Sequence, residues 1–349
     1  MMSISAIDLF CGIGGLTRGI EDSGITVKAG FDLDESCHYA YEHNNKSTFI
    51  QCDIGSLNVD MINSCFGGSD VRIIVGCAPC QPFSTCTPRT HAGKNNDKWG
   101  MLNHYSRIIR EVKPDIVSME NVPQLKNTEP FEHFLSTLRE NDYHFSYSIV
   151  NCEEYGIPQR RKRLILLASI YGPIFIKSPD GMQKRTVKDA IGSLPVLKDG
   201  EVSPVDPLHR CQKLSEKNKM RIINSVPGGS WETWPDELKL DCHRSKRGSS
   251  FKSVYGRMCW DDPSPTITTE FINYGSGRFG HPEQDRALSL REGALIQTFP
   301  ADYEFEPENN IKSIASTAVH IGNAVPVKLG KIIGDSILEH LKENGVIHV

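Results

Sequence analysis

Four side chains of this sequence could together carry out chemistry on a heteroaromatic ring. Cys80 offers a thiol, Glu120 a carboxyl group, and Arg161 and Arg163 two guanidinium groups, and each lies beside an apolar run. Open α/β sheets keep their sites at strand ends, where such residues would meet. A thiolate can attack a ring carbon, a carboxyl group can protonate a ring nitrogen, and an arginine can orient the ring. The set therefore predicts an active site for a pyrimidine.

A second pattern predicts a site for a nucleotide-like ligand. Gly12, Gly14 and Gly15 follow the first apolar run, and glycine permits a tight turn and close approach of a ligand to the backbone. Asp32 and Asp53 follow the next two apolar runs, where an acid commonly binds ribose or an adenine amino group. Helix caps and turns that bind nothing share these features. The spacing alone does not choose between NAD and other nucleotides, since the last glycine of the dinucleotide fingerprint is missing.

The elements that must position these residues alternate between strands and helices. Strands are predicted at 4–10, 26–31, 48–51, 71–76, 115–119, 145–150 and 163–169, with helices at 16–22, 35–44, 100–112 and 130–141. Several of the strands are continuous apolar runs, as in strands buried on both faces. This pattern predicts an α/β fold with a doubly wound, mostly parallel sheet.

Three regions of the chain are expected. Residues 1–177 form the catalytic and cofactor-binding domain, residues 178–310 a smaller, irregular, β-rich domain, and residues 311–349 a return onto the first domain. The last region carries apolar residues at helical spacing between Val327 and Leu341.

Composition excludes several classes of protein. The 349 residues are 38% hydrophobic and 23% charged, and no apolar run reaches the 18 residues or so that a membrane helix needs. The N-terminus has no signal-like stretch, so the protein is expected inside the cell, in the cytoplasm or, in a eukaryote, the nucleus. Eleven scattered cysteines suggest reduced thiols. The pair Cys77 and Cys80 lacks a second ligand pair, so no metal site is predicted, and a thioredoxin-like redox pair is disfavoured by the chain length and the sheet context.

Charge is unevenly distributed along the chain. Residues 178–260 contain 15 Lys and Arg against 10 Asp and Glu, a net charge of +5, whereas the whole chain carries −4 and the remainder therefore −9. A local basic excess can bind phosphates in an acidic protein, and a solvated lysine-rich surface gives the same pattern.

In their order and wording the motifs resemble those of DNA (cytosine-5) methyltransferases. The resemblance runs from Asp8 to Pro326. It is carried by these segments: Pro79-Cys80-Gln81, Glu120-Asn121-Val122, Gln159-Arg160-Arg161-Lys162-Arg163, Arg286 to Glu292, Gln297-Thr298-Phe299-Pro300 and His320 to Pro326. It implies transfer of a methyl group from S-adenosylmethionine to C5 of a cytosine that is flipped out of a specific duplex DNA sequence.

The resemblance also implies a role for each site residue. Cys80 forms the adduct at C6, Glu120 bonds to or protonates N3, Arg163 reaches O2, and Arg161 braces Glu120 or binds phosphate. The cofactor-binding residues implied are Asp8, Leu9, Phe10, Gly12, Gly14, Gly15, Asp32, Leu33, Asp53, Ile54, Pro79, Leu102, Asn323 and Val325. The residues expected to contact DNA are Gln81, Ser84, Lys98, Arg244, Lys246 and Arg247.

The sequence departs from the family pattern at several positions. Asp32 stands where glutamate is usual, Trp99 replaces an arginine, Ala78 a proline, and His320 a glutamine. Two alternatives stay open, a tRNA cytosine-5 methyltransferase and a catalytically silent DNA-binding relative. Against the first, Cys65-Phe66 continues with Gly67, where the tRNA enzymes have threonine. Double-stranded DNA is the expected partner of a monomeric enzyme, with a companion restriction endonuclease expected from family habit.

Overall fold

A computed structural model describes residues 2–79, 100–245, 250, 252–307 and 312–347. The chain forms two compact units. The first comprises Met1–Asn151, Lys162–Asp180 and Val325–Val349, and the second comprises Cys152–Arg161 and Gly181–Ala324. The second unit is therefore inserted twice into the sequence of the first.

The first unit is built on a seven-stranded sheet. Its strands are β1 (Ile4–Leu9), β2 (Thr26–Asp32), β3 (Thr48–Gln51), β4 (Val71–Gly76), β5 (Ile116–Asn121), β6 (His144–Asn151) and β8 (Lys162–Ser169), in the order β3-β2-β1-β4-β5-β8-β6. The pairings among the first five strands are parallel, while β8 runs antiparallel to both β5 and β6. The carboxyl ends of β1 to β5 therefore share one edge, and the predicted doubly wound, mostly parallel sheet is confirmed.

Helices cover both faces of this sheet. They are α1 (Gly15–Asp22), α2 (His38–Asn44), α3 (Val59–Phe66), α4 (Gly100–Val112), α5 (Glu129–Glu140) and α11 (Val327–Glu343). The core between α3, α4, α5 and the sheet is apolar, and the buried Tyr105 hydroxyl donates to the carbonyl of Ser118 on β5 at 2.8 Å. Helix α3 was not predicted, because its eight residues carry only two fully buried side chains.

Helices α1 and α11 pack with their backbones in close contact. A Cβ atom at Gly19 would collide with the backbone of Val327 and Lys331, and one at Gly330 would lie 2.8 Å from the carbonyl oxygen of Leu16. The glycine-rich turn that precedes α1 is thus supported from behind by the end of the chain.

The second unit consists mostly of irregular segments. Its helices are short: α6 (Val187–Ile191), α7 (Glu216–Ile223), α8 (Asp241–Arg244), α9 (Leu290–Ile296) and α10 (Ile314–Asn323). Among its described residues, strand pairing beyond isolated bridges is limited to β7 (Gln159–Arg160) with β9 (Ser264–Pro265). The described residues of this unit are therefore mostly irregular and contain little of the β-structure that was expected for residues 178–310.

Buried polar and aromatic groups hold this unit together instead of a large sheet. Arg286 pairs with Glu292 through two hydrogen bonds of 2.7 and 2.8 Å, and both side chains are fully buried. Burial would raise the pKa of Glu292, but the hydrogen bonds and charge of Arg286 outweigh it and lower that pKa to about 2. A separate cluster stacks Trp231 on His243, with Trp234 packed alongside.

Among the described residues, no helix combines the length and the apolar character needed to cross a membrane.

The helix crossing at Gly19 gives a first prediction. Gly19→Ala should lower the free energy of unfolding by about 1–3 kcal/mol, because overpacking against a neighbouring backbone outweighs the roughly 1 kcal/mol that alanine adds in helix propensity. Thermal unfolding of the two proteins measures the difference. Gly68→Ala is the matched control, since a Cβ there meets nothing within 4 Å. An unchanged midpoint for Gly19→Ala would contradict the close packing.

Candidate active site

The carboxyl group of Glu120 is the best-defined element of the site. It lies near the end of β5 with only 2% of the residue exposed, and Arg163 on the neighbouring β8 places its Nε 2.9 Å from Oε1. The contact has the distance of an ion pair, yet Oε1 accepts no well-aligned hydrogen bond from the described residues. The thiol of Cys77 donates to the other oxygen, Oε2, at 2.8 Å. A buried carboxylate is therefore held between a guanidinium group and a thiol.

A second link joins the ends of β4 and β5. The side-chain amide of Asn121 donates to the carbonyl of Ala78 at 3.0 Å, and both residues are buried. The chain that leads to Pro79 is thereby fixed beside Glu120. Pro79 itself is exposed.

Arg161 does not fill the predicted role of bracing Glu120. Its guanidinium group is buried in the second unit and donates to the carbonyl oxygens of Ile267 at 3.1 Å and Ala324 at 3.4 Å. Arg163 is the arginine that pairs with Glu120. In a strand, residues two positions apart point to the same side, but Arg161 precedes β8, which begins at Lys162, so this rule does not apply to the pair Arg161 and Arg163.

Several predicted residues fall outside the described part of the chain. They are the proposed nucleophile Cys80 and the expected DNA contacts Gln81, Ser84, Lys98, Lys246 and Arg247. Their roles stay predictions. Arg244, at the end of α8, is exposed and donates to the carbonyl of Asp236 at 2.8 Å.

The glycine-rich turn is closed by Asp32. The amide of Gly12 donates to Asp32 Oδ2 at 2.8 Å, and the amide of Asp34 donates to Oδ1 at 2.9 Å. Gly12 and Gly14 both have positive φ, at 52° and 83°, which favours glycine, and nothing lies within 4 Å of a Cβ built on Gly12. Burial raises the pKa of Asp32, opposed by these amide hydrogen bonds. The turn is open above Gly12 and carries an anchored carboxylate at its side.

The apolar residues predicted around this turn divide into two groups. Leu33 is 66% exposed directly after β2, and Phe10 is partly buried with a φ of 61°. By contrast, Leu9, Ile54 and Leu102 are buried in the core of the first unit. Leu33 and Phe10 are thus available to a flat apolar ligand, while the other three support the shape of the site.

Carboxylates near the turn differ in the same way. Asp53 is exposed at the end of β3 and accepts from the amide of Gly55 at 2.8 Å. Asp34 caps a short 3-10 helix by accepting from the amide of Ser36, so its main role is structural.

The other predicted cofactor-binding residues lie in different elements. Gly15 begins α1, and Val325 is buried where the chain re-enters the first unit. Asn323 is exposed at the end of α10 in the second unit.

Asp8 is buried at the end of β1 and does not reach the surface. Its Oδ2 accepts from the hydroxyl of Thr17 at 2.7 Å, while Oδ1 has no hydrogen-bond partner in the described chain. Burial raises the pKa of Asp8 to about 8; the Thr17 hydrogen bond opposes this shift and the charge of Asp32 adds to it. Asp8 therefore stabilises the turn from inside the core of the first unit. Its burial argues against the expected direct contact with a ligand.

The second unit contains a cavity of about 500 Å³ lined by Arg160 and Arg278. Arg160 pairs with Asp262 at 2.8 Å, and Arg278 donates to the carbonyls of Gly228 and, at 2.8 Å, Gly229. Since internal partners already engage both arginines, the cavity is a weaker anion site than its lining suggests.

Taken together, the sheet order, the glycine turn with its carboxylate, and the buried Glu120 are typical of α/β enzymes that keep their sites at the carboxyl ends of the strands. Comparison with known proteins makes the class specific. A family model described as C-5 cytosine-specific DNA methylase matches residues 4–339. The Type II methylase M.HgiDII of Herpetosiphon aurantiacus is 48% identical over 343 residues, which cover 97% of this chain and 96% of that protein.

Further relatives agree. The Type II methyltransferase M1.BsuMI of Bacillus subtilis (strain 168) is 32% identical, covering 95% of this chain and 79% of its own. Among solved structures, the Entamoeba histolytica methyltransferase EhMeth has a TM-score of 0.64 at 20% identity, covering 98% of this chain and 99% of that chain. The S. pombe Dnmt2 methyltransferase has a TM-score of 0.61 at 18% identity, covering 97% and 99%. These two structures show a shared fold.

The chain belongs to the C-5 cytosine-specific DNA methylase family. It is a DNA (cytosine-5-)-methyltransferase, and DNA is the substrate of such enzymes. Family and fold imply S-adenosylmethionine as the cofactor.

Sequence reasoning missed the contact between Cys77 and Glu120. Cys77 was considered only as half of a metal or redox pair with Cys80. The contact follows from the register of the two parallel strands. The pairing of β4 with β5 sets Gly76 beside Met119, and hence Cys77 beside Glu120.

The raised pKa of Asp8 predicts how stability depends on pH. A carboxyl group whose pKa is higher in the folded than in the unfolded chain contributes stability below the unfolded pKa and loses it as pH rises through the folded value. Here the loss falls between the usual value of 3.8 and about 8. The thermal midpoint of Asp8→Asn should therefore fall less between pH 5 and pH 8 than that of the wild type. Asp60→Asn, at an exposed position of α3, is the control and should retain the wild-type dependence. Equal slopes for Asp8→Asn and the wild type would contradict the assignment.

Proposed function

We propose that this protein methylates C5 of one cytosine in a short sequence of double-stranded DNA through a covalent bond between Cys80 and C6. The observation that carries the mechanism is the buried Glu120 carboxyl group, fixed by Arg163 and Cys77 at the edge of the sheet beside the segment that leads to Cys80. No other described part of the first unit combines a buried acid with a cation in this way.

Cys80 supplies the nucleophile. Addition of its thiolate to C6 moves the electrons of the C5–C6 double bond to C5, which then becomes nucleophilic. A free thiol has a pKa near about 8.5, so positive charge nearby favours the thiolate. When bound, S-adenosylmethionine supplies the electrophilic methyl group that C5 accepts. Loss of the C5 proton and breakage of the Cys80–C6 bond then restore the aromatic ring.

Glu120 and Arg163 orient and activate the base. Because Oε1 of Glu120 lacks a well-aligned donor, it has capacity for the ring N3, through a proton that is shared or transferred as C6 is attacked. Arg163 Nε lies 2.9 Å from the same oxygen, and its Nη1 donates to the carbonyl of Lys162 at 2.7 Å. We assign contact with the base O2 to its other outer nitrogen, Nη2. Arg161 acts indirectly by bracing the segment before β8.

The residues of the glycine turn fit S-adenosylmethionine. The free space above Gly12 accepts the amino-acid part of the cofactor, the anchored Asp32 carboxylate accepts ribose hydroxyls, and the exposed Leu33 and Phe10 flank an adenine ring. Asp53 is proposed to accept from the adenine amino group, and the neighbouring Ile54 is proposed to support this end of the site. Pro79, Asn323 and Val325 complete the proposed set, with Gly14 and Gly15 shaping the turn.

DNA recognition is assigned to the second unit and to the segment after Cys80. A flipped base costs a few kcal/mol of lost pairing and stacking, which contacts to the DNA must offset. Arg244, Lys246 and Arg247 are proposed for phosphate or guanine, and Gln81, Ser84 and Lys98 for the DNA around the flipped base. The net charge of +5 over residues 178–260 supports this assignment.

The biological setting follows from the relatives. Because M.HgiDII and M1.BsuMI are named Type II enzymes, we infer that this enzyme works beside a companion restriction endonuclease. That it acts as a monomer stays a prediction. Because DNA is the substrate, we propose that the enzyme works in the cytoplasm if its source is a bacterium.

Bisulfite sequencing tests the reaction and the nucleophile together. DNA from cells that express the wild type should contain conversion-resistant cytosines in one short motif, because 5-methylcytosine resists deamination. Cys80→Ala should lose this protection completely, and Glu120→Gln should lose most of it, on the order of 10²-fold or more in rate. Cys65→Ala, at a partly buried cysteine on α3, is the matched control and should retain protection.

Absence of protected cytosines with soluble wild-type protein would contradict the proposal. Protection of tRNA instead of DNA would favour the tRNA enzyme. Binding of DNA and cofactor without covalent trapping on a 5-fluorocytosine substrate would favour a silent binder.

The cofactor assignment gives a separate prediction. Asp32→Ala should weaken binding of S-adenosylmethionine by roughly 10- to 100-fold, since hydrogen bonds to a charged group are worth about 1.5–3 kcal/mol. Isothermal titration calorimetry measures this affinity. The control is Asp34→Asn, in which asparagine retains the helix cap, and its affinity should stay within about twofold of the wild type. Equal affinities for Asp32→Ala and Asp34→Asn would remove Asp32 from the site.

A further inference from the structure

We propose that Cys77 is a positioning residue for catalysis, whose thiol holds the Glu120 carboxyl group in the orientation that receives the base. This inference rests on the proposed role of Glu120 and adds a residue to it. Cys77 lies three positions before the nucleophile but acts in a different way, through a hydrogen bond.

The thiol of Cys77 and the guanidinium group of Arg163 contact different oxygens of the Glu120 carboxylate. Cys77 Sγ lies 2.8 Å from Oε2 of Glu120, while Arg163 Nε lies 2.9 Å from Oε1. Glu120 is 2% exposed, so water contributes little to its solvation. Two partners on two oxygens fix the plane of the carboxyl group as well as its position, which a single ion pair would not do.

The backbone holds the thiol in this place. The amide of Cys77 donates to the carbonyl of Leu9 at 3.3 Å, and the carbonyl of the next residue, Ala78, accepts from Asn121 at 3.0 Å. Cys77 is therefore tied to β1 on one side and to β5 on the other. Its side chain meets Glu120 because of strand register, so the contact is part of the sheet edge.

The chemistry of a thiol suits a carboxyl group that exchanges a proton. A thiol is a weak hydrogen-bond donor and its sulfur is a weak acceptor. It can donate to Oε2 while the carboxyl group is ionised and can accept from it once the group is protonated. A neutral, weak partner therefore fixes the orientation without opposing proton transfer as a second cation would.

Three variants separate positioning from packing. Cys77→Ala removes the hydrogen bond, Cys77→Ser keeps a donor and acceptor at the same place, and Cys65→Ala controls for loss of a cysteine elsewhere. Single-turnover methylation by the full chain, at saturating DNA and S-adenosylmethionine, measures the chemical step. Dissociation constants for DNA and cofactor, and the thermal midpoint, are measured on the same proteins.

We expect Cys77→Ala to lower the single-turnover rate by roughly tenfold, in line with loss of one hydrogen bond to a charged group, while both dissociation constants stay within about twofold. Cys77→Ser should return the rate to within about threefold of the wild type. A rate for Cys77→Ala equal to that of the wild type would overturn the proposal. So would equal rate losses in Cys77→Ala and Cys77→Ser, because that result would indicate packing of the sulfur atom.

A readout that does not need turnover separates this inference from the proposed function. The carboxyl carbon of Glu120 gives a ¹³C NMR signal, which is assigned by its absence in Glu120→Gln. Loss of the hydrogen bond from Cys77 should change the chemical shift of this signal at a fixed pH in Cys77→Ala, and Cys77→Ser should return it toward the wild-type value. A changed chemical shift in Cys77→Ala, together with a wild type that does not methylate DNA, would overturn the proposed function alone. An unchanged chemical shift in Cys77→Ala, together with a wild type that methylates DNA, would overturn the role of Cys77 alone.

Discussion

Burial of one carboxyl group is the constraint on which this active site depends. Removing a carboxylate from water costs several kcal/mol, and the cost is offset only when charged and hydrogen-bonding partners are held in good geometry. For Glu120 those partners come from two different strands, Cys77 after β4 and Arg163 on β8, on either side of β5. The strand order of the sheet is therefore what allows an acid at this position, and a change in register of either neighbour would remove one of its two partners.

The carboxylate of Asp32, at the end of β2, also needs hydrogen-bond partners. There the backbone supplies the donors, since the amides of Gly12 and Asp34 hold the Asp32 carboxylate. Beneath them Asp8 is buried with a raised pKa and a single side-chain partner. The two carboxyl groups thus differ in purpose: Asp32 is anchored but reachable, whereas Asp8 is enclosed and shapes the turn. Gly12 and Gly14 have positive φ angles, which favour glycine, and no other group lies within 4 Å of a Cβ built on Gly12.

Much of the first unit could be predicted from the sequence because its strands are long apolar runs and its site residues lie at their ends. All seven predicted strands of the sheet form, within about two residues at each end. Contacts between individual side chains could be predicted less well from the sequence. The sequence predicts that Arg161 braces Glu120 or binds phosphate, whereas Arg163 is the arginine that lies beside Glu120. A run of four consecutive basic residues gives no periodic signal at the start of a strand. The second unit was expected to be β-rich because it contains many Pro, Gly and Ser residues, but buried ion pairs such as Arg286 with Glu292 stabilise irregular backbone there. Such pairs connect residues only six positions apart, yet nothing in the local sequence marks them as buried.

The contact between α1 and α11 has a consequence for how the protein is synthesised. Helix α1 begins at Gly15, but the helix that supports it begins at Val327, more than 300 residues later in translation. Contacts of such long sequence separation form slowly and late. On the ribosome, the glycine turn and its carboxylate must therefore wait for more than 300 further residues to emerge before they gain this support. A nascent chain that ends before α11 would lack the contact, so the turn would reach its final packing only after α11 has been synthesised.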